Sequence, residues 1–378
     1  MSTTVPAPQS TRHVPVTLVD CDIHLTPRSH DELLEHLDPR FADRFDTDRR
    51  TLTTREVFLP FGNPARLDAY GDDGLPAGSD PALVERQLFG DERADFGVIA
   101  ALVGQASEPR LNTAVAGAMN AWQAATWLAR DDVRLFGSIN VAIDDVAGAV
   151  REVERWAGHP GFKQVLIAHD ADRPLGHPQY DPLWEAASRH GLPVGMHFNE
   201  SHRAALGATP VGAFRSYVTY HALTHPLEYA AHVASWICAG TFSRFPGLRV
   251  TLLEGGFLWH RPVIARLMHQ WEAKRTVLPD ARKTPVECVR DHVRFASQPI
   301  EEADVARDVT DLMLAADAEH LLVFSSDYPH YDYDNPTRAL PPGLPEPVRA
   351  RILAGNAREW FDLPATRPAG PYDAEAPA

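Results

Sequence analysis

The sequence predicts an α/β protein, a (β/α)8 TIM-type barrel with a long insertion after the first strand, and three observations carry that prediction. Eight short apolar runs can be counted along the 378 residues, separated for the most part by stretches with helical spacing. The runs are apolar almost throughout, as strands buried on both faces are. Four of them end in a carboxylate or an imidazole, which is the pattern of a parallel barrel whose functional side chains gather at one rim.

The first run, residues 16–19, leads into Asp22-Ile23-His24. Side chains two apart on an extended chain point to the same side, so Asp22 and His24 can grip one ion. Roughly 75 residues with scattered Pro, Gly and Asp come next, far above the ~2–6 of an ordinary βα loop. They predict a lid or substrate wall over the barrel mouth, with Phe58, Phe61 and Tyr70 as its apolar candidates.

Residues 98–102 read as the second strand, and residues 111–130 as a helix with Val115, Met119, Trp122 and Thr126 at helical spacing. Residues 133–139 form the third strand. The next helix puts Val146, Val150, Val153 and Trp156 on one face and starts behind Asp144 and Asp145, where carboxylates suit the helix dipole. The fourth strand spans 162–167; a helix over 180–190 is stopped by Gly191, and the fifth strand, 193–197, ends in His197. A loop over 200–224 precedes a helix from about 227 to 239, and the sixth strand, 248–254, ends in Glu254. A helix through Trp259, Ile264, Leu267 and Trp271, a strand at 293–296 and a helix with Val305, Val309 and Leu312 follow. The eighth run, 321–324, delivers Ser326-Asp327-Tyr328-Pro329-His330. Residues 1–15 and 363–378, rich in Pro with Ser and Thr or with Ala, are expected to be flexible tails around a barrel over 16–362, with the insertion at about 27–95.

Composition excludes several classes. Hydrophobic residues at 44% and charged residues at 23% are those of a globular chain with a substantial core. A formal charge of -15 without a dense basic stretch repels phosphate backbones and anionic lipid, so a small molecule is the expected partner rather than nucleic acid or membrane. The three cysteines, Cys21, Cys238 and Cys288, lack CxxC spacing, so neither a disulfide framework nor a thiolate metal site is expected, and a cytoplasmic location fits. An open doubly wound sheet competes with the barrel, but no GxGxxG follows the first strand.

Taken together, residues 19–24, 180–184, 191–197, 253–256 with Trp259, and 324–330 resemble the amidohydrolase-related family, in particular its branch typified by aminocarboxymuconate semialdehyde decarboxylase. The resemblance runs in the family's order over about residues 17 to 362. It implies a barrel with one divalent metal, usually zinc and in several relatives manganese, ligated by Asp22, His24, His197 and Asp327, in a homodimer; the carboxylate and imidazole donors themselves also suit iron. The chain departs from the decarboxylase pattern at Glu254, where those enzymes have a catalytic His.

Each candidate also has a plain structural use. A lone D-x-H or a lone buried His is more often structural than a ligand, and it is their joint occurrence at strand ends that favours a metal. Three roles stay open for Glu254: ligand, base, or a turn residue binding neighbouring amides. His330 would touch substrate or orient Asp327. Arg215, His221 and Arg266 are candidate anchors for an anionic substrate, since Arg matches a carboxylate bidentately. Lys163 is left structural, because the first-strand pattern is not the HxH that accompanies a carboxylated lysine.

The leading expectation is a metal-dependent, non-oxidative decarboxylase of a small aromatic or unsaturated acid, with Asp327 as general acid/base. The alternative is a metal-dependent hydrolase of an amide, lactone or ester using a metal-activated water. A barrel that binds a ligand without catalysis is a third reading, which retention of the four matched ligands argues against.

Overall fold

The computed structural model describes residues 12–45, 65–71, 74–106, 108–130, 134–168, 171–197, 217–301 and 306–374. Ten strands occur among them: β1 (His13–Pro15), β2 (Val19–Ile23), β3 (Phe96–Ile99), β4 (Leu135–Val141), β5 (Phe162–Ile167), β6 (Val194–Met196), β7 (Val250–Leu252), β8 (Val293–Ala296), β9 (Leu322–Val323) and β10 (Thr366–Pro368). Strands β2 to β9 form one parallel sheet in sequence order.

The sheet closes on itself. Cys21 N donates to Phe324 O at 3.0 Å and His24 N to Tyr328 O at 2.7 Å, which joins β2 to the chain leaving β9. Every residue of β2 and of β4 is buried, as the continuously apolar runs require in a sheet covered on both faces. Ala100, Leu166, Ala168, Leu253 and Ala296, from the ends of β3, β5, β7 and β8, meet as a small buried cluster. A larger cluster, with Trp184, Tyr229, Trp236 and Phe295, packs the strands against their covering helices.

Local chemistry places the helix ends. Asp145 caps the helix Val146–Trp156 by accepting from Gly148 N at 2.9 Å. Gly191 ends the helix Asp181–His190 in the left-handed conformation, with φ 65°.

Four expectations need correction. The first barrel strand is Val19–Ile23 rather than 16–19, so Asp22 lies inside it. The third runs to Val141. Part of the expected 200–224 loop is helical, since the helix after β6 spans Tyr217–Cys238 despite Pro226. The described parts of both expected tails are structured: β1 pairs antiparallel with β10, and Arg367 binds Asp95 and Asp373. These segments are held by an ion-pair cluster and a two-stranded ribbon, which the Pro/Ala-rich composition does not advertise. Residues 1–11 and 375–378 lie outside the described residues.

The insertion after β2 carries the short helices His30–Leu34 and Pro81–Glu85 and returns to the mouth. Thr26 N donates to Gly78 O at 3.3 Å, and Arg66 N to Pro329 O at 2.9 Å. Gly78 has φ 76°, and a Cβ there would come within 2.6 Å of His24 O, so only glycine allows this close approach. Of the three wall candidates, Phe58 and Phe61 lie outside the described residues, and Tyr70 is 38% exposed.

Candidate metal centre

Asp22 and His24 emerge from the end of β2, His197 follows β6 and Asp327 follows β9. One ligand atom from each lies within 4.8 Å of the others, and all four residues are buried. His24 Nε2 is 2.8 Å from Asp327 Oδ1 and 3.4 Å from Asp22 Oδ1, while His197 Nε2 is 3.8 Å from Asp22 Oδ2. The two imidazoles meet edge to face at 4.8 Å between ring centres. His24 Nδ1 contacts Ala100 O at 2.8 Å, which fixes the ring with Nε2 toward the carboxylates.

A divalent cation fits this donor set. Both carboxylate oxygens of Asp22 and Oδ2 of Asp327 are buried and accept no hydrogen bond among the described residues. Leaving buried carboxylates without partners costs several kcal/mol or more each, on the order of the Born penalty after relaxation. Burial pushes the Asp22 carboxyl well above the usual range, and Asp327, Glu254 and Asp20 add to the shift by repulsion. Mixed Asp and His donors suit zinc, manganese or iron.

Glu254 stands beside the four, with Oε2 3.3 Å from His197 Nε2. It also groups with Asp327 and Asp332, each offering an oxygen within 4.8 Å of the others. Glu254 and Asp327 share an uncommon backbone, with φ 53° and 62°. For a residue with a Cβ that conformation costs of order 1–3 kcal/mol and needs surrounding structure to impose it. In both cases the carbonyl just before the acid is tied down: Tyr229 Oη lies 2.7 Å from Leu253 O, and Asp334 N donates to Ser326 O at 2.9 Å.

His330 Nδ1 donates to Asp327 Oδ1 at 2.7 Å, and the ring stacks on His24 at 4.3 Å between centres. Burial alone would lower the His330 pKa, but the Asp327 carboxylate outweighs it and holds it up at about 9. Its imidazole is thus held against the Asp327 carboxylate. Asp20, two residues before Asp22 and 1% exposed, accepts from Ser326 N at 3.0 Å and from the Ser326 hydroxyl. Burial raises the Asp20 pKa to about 7.

The structure therefore brings Asp22, His24, His197, Asp327, Glu254 and His330 into one place at the strand ends. The proposed anchors fall elsewhere or outside what is described. Arg266 is exposed on the helix His260–Lys274, Arg215 lies outside the described residues, and so does the side chain of His221. Lys163 reaches toward Asp362 O at 3.4 Å. Asp332, Asp20 and Tyr229 went unrecognised in the sequence. Only Asp20 left a usable signal, since it shares the inward face of β2 with Asp22 by the two-residue period.

The family model described as amidohydrolase matches residues 19–363. No curated protein matches the chain. Among solved structures, the chain is similar to an amidohydrolase from Mycobacterium avium subsp. paratuberculosis, at 21% identity and TM-score 0.63, over 92% of this chain and 97% of that one. It is similar to 5-carboxyvanillate decarboxylase from Sphingomonas paucimobilis, at 21% identity and TM-score 0.65, over 92% and 100%. A 5-carboxyvanillate decarboxylase from Novosphingobium aromaticivorans, solved with bound manganese, matches at 16% identity and TM-score 0.64, over 92% and 97%. At these identities the likeness establishes a shared fold.

Proposed function

The chain belongs to the amidohydrolase family, and we propose from that premise that it is a metal-dependent, non-oxidative decarboxylase of a small aromatic or unsaturated carboxylic acid. The observation that carries the reading is the buried set Asp22, His24, His197 and Asp327 at the strand ends, with Asp327 held by His330 at 2.7 Å. That several neighbours of this fold are decarboxylases of aromatic acids supports it.

A divalent cation held by Asp22, His24, His197 and Asp327 would anchor a substrate carboxylate and an adjacent oxygen and draw off negative charge. The chain's own part is proton placement. Asp327 delivers a proton to the carbon that bears the carboxylate; a C–H bond forms, the C–C bond to the carboxylate breaks, and its electron pair restores the unsaturated system as carbon dioxide leaves. His330 keeps the Asp327 carboxyl aimed at that carbon. Backbone bonds from Thr26 N to Gly78 O and from Arg66 N to Pro329 O tie parts of the insertion to the chain next to His24 and Asp327.

Glu254 favours a second reading. A carboxylate 3.3 Å from His197 can take a proton from water, which suits hydrolysis of an amide, lactone or ester. The two reactions part on their products. Decarboxylation releases carbon dioxide and puts one solvent deuteron on carbon; oxygen-18 from solvent entering the product without carbon dioxide would overturn the leading reading.

We further propose zinc as the resident ion, with manganese or iron as alternatives, a homodimeric assembly, and a cytoplasmic location. Metal analysis of the purified protein and its mass in solution test the first two. The free thiols Cys21, Cys238 and Cys288 fit the third.

A further inference from the structure

Tyr229 belongs to the helix Tyr217–Cys238, is fully buried, and lies far from any position that a ligand motif would mark. Its hydroxyl is 2.7 Å from Leu253 O and 3.0 Å from Met196 O. Those are the carbonyls immediately before Glu254 and His197. The phenol proton is thus shared between the ends of two adjacent barrel strands, at the point where each releases a functional side chain.

The two contacts have different consequences. Rotation about the N–Cα bond of Glu254 sets its φ, and with the strand fixed, the direction of Leu253 O decides which way the carboxylate leaves the backbone. Glu254 sits at φ 53°, a conformation it would abandon if that peptide were free to turn. His197 has no such demand, since its φ is not among the positive values. The neighbouring residue has been shaped to admit the tyrosine: a Cβ on Gly255 would fall 2.1 Å from the Tyr229 ring. Gly255 O is in turn held by Trp259 Nε1 at 2.8 Å, and the Glu301 carboxylate accepts from Phe257 N and Trp259 N. The loop after β7 is therefore fixed on its far side by Trp259 and Glu301 and on its near side by the Tyr229 hydroxyl.

We propose that Tyr229 is a positioning residue for Glu254: by holding the Leu253 carbonyl it keeps Glu254 in the left-handed conformation that sets its carboxylate beside His197 and Asp327. This rests on the metal-centre reading above, in which Glu254 adds negative charge next to the ion.

The test is a double-mutant cycle read by Mn2+ binding, with free Mn2+ followed by electron paramagnetic resonance. Tyr229→Phe removes one hydroxyl and keeps the ring, so packing against Gly255 is retained, and melting of the metal-free proteins reports on the fold. In the Glu254 background, Tyr229→Phe should weaken Mn2+ binding by about 3- to 10-fold, the worth of one hydrogen bond. In the Glu254→Gln background the same change should have less than about a twofold effect, because the charge it positions is gone. Equal weakening in both backgrounds, or none in either, would overturn the proposal. A crystal structure of Tyr229→Phe supplies a readout independent of binding: Glu254 should leave positive φ and move off His197, and an unmoved Glu254 would also overturn it. If the coupling is found while no substrate releases carbon dioxide, the decarboxylase reading fails and the role of Tyr229 stands.

Discussion

Asp20 and Ser326, 306 positions apart, fasten the first and last strands of the barrel through both polar groups of the serine. The same Asp20 Oδ1 also accepts from Asp22 N at 3.2 Å, and the Ser326 hydroxyl accepts from Tyr328 N at 3.0 Å. Two candidate ligand positions, Asp22 and Asp327, are thereby set by one buried pair. Neither partner needs to touch an ion to do this.

Ser326→Ala should therefore destabilise the fold. It strands one oxygen of the buried Asp20 carboxylate and removes the acceptor for Tyr328 N, at a cost of about 1–3 kcal/mol. Urea unfolding of the metal-free protein measures it, and an unchanged midpoint would refute the pairing.

Removal of metal should lower the melting temperature of the wild type, because an ion bound only by the folded chain adds RT ln(1 + [L]/Kd), about 2.7 kcal/mol at a hundredfold excess over Kd. Asp22→Asn should abolish most of that difference by taking a buried anionic ligand from the set. The check is differential scanning calorimetry with and without chelator; a variant that responds to chelator as fully as the wild type would remove Asp22 from the ligand set.

Acid should loosen the ribbon of β1 and β10. The Arg367 hydrogen bonds, with its charge, depress the Asp373 pKa from 3.8 to about 2. A group with a depressed folded pKa stabilises the fold above its unfolded value and stops doing so as pH falls through the folded one. The Asp373 contribution is therefore complete above about pH 4 and disappears between there and about pH 2. Asp373→Asn should flatten the stability profile in that window alone, as followed by chemical unfolding at a series of pH values.

Gly255→Ala should be costly although it adds one methyl group. The new Cβ would lie 2.1 Å from the Tyr229 ring, inside contact distance, so the ring or the loop must move. Overpacking of this kind costs about 1–3 kcal/mol. Because the displaced ring carries the hydroxyl that holds Leu253 O, the variant should also weaken Mn2+ binding; a stable variant with wild-type affinity would contradict the geometry.

The local signals served well where the physics is local. A buried parallel strand must be apolar on both faces, so eight apolar runs could be counted, and most end where the chain leaves the sheet, which is where His24, His197, Glu254 and Asp327 were found, with Asp22 just inside its strand. The edges were less legible. The run at 16–19 is apolar because Val16 and Val19 pack in one buried cluster with Phe96, Phe136 and Trp360, and the strand itself begins at Val19, so apolarity alone misplaced it. The ends of the chain misled for a related reason: Pro-rich composition argues for disorder, while Arg367, Asp95 and Asp373 supply order by charge.

The amino-acid order by itself determined the barrel class, the number of its strands and the residues able to hold a cation, since periodicity and strand ends depend only on near neighbours. Folding decided how those residues are held. The pairing of Asp20 with Ser326, the carbonyl held by Tyr229, the approach of Asp332 and the left-handed turns at Glu254 and Asp327 all depend on contacts between segments distant in the chain. A strained backbone angle has no signature at its own position when the groups that enforce it come from elsewhere, and they meet only once the ring of strands has closed.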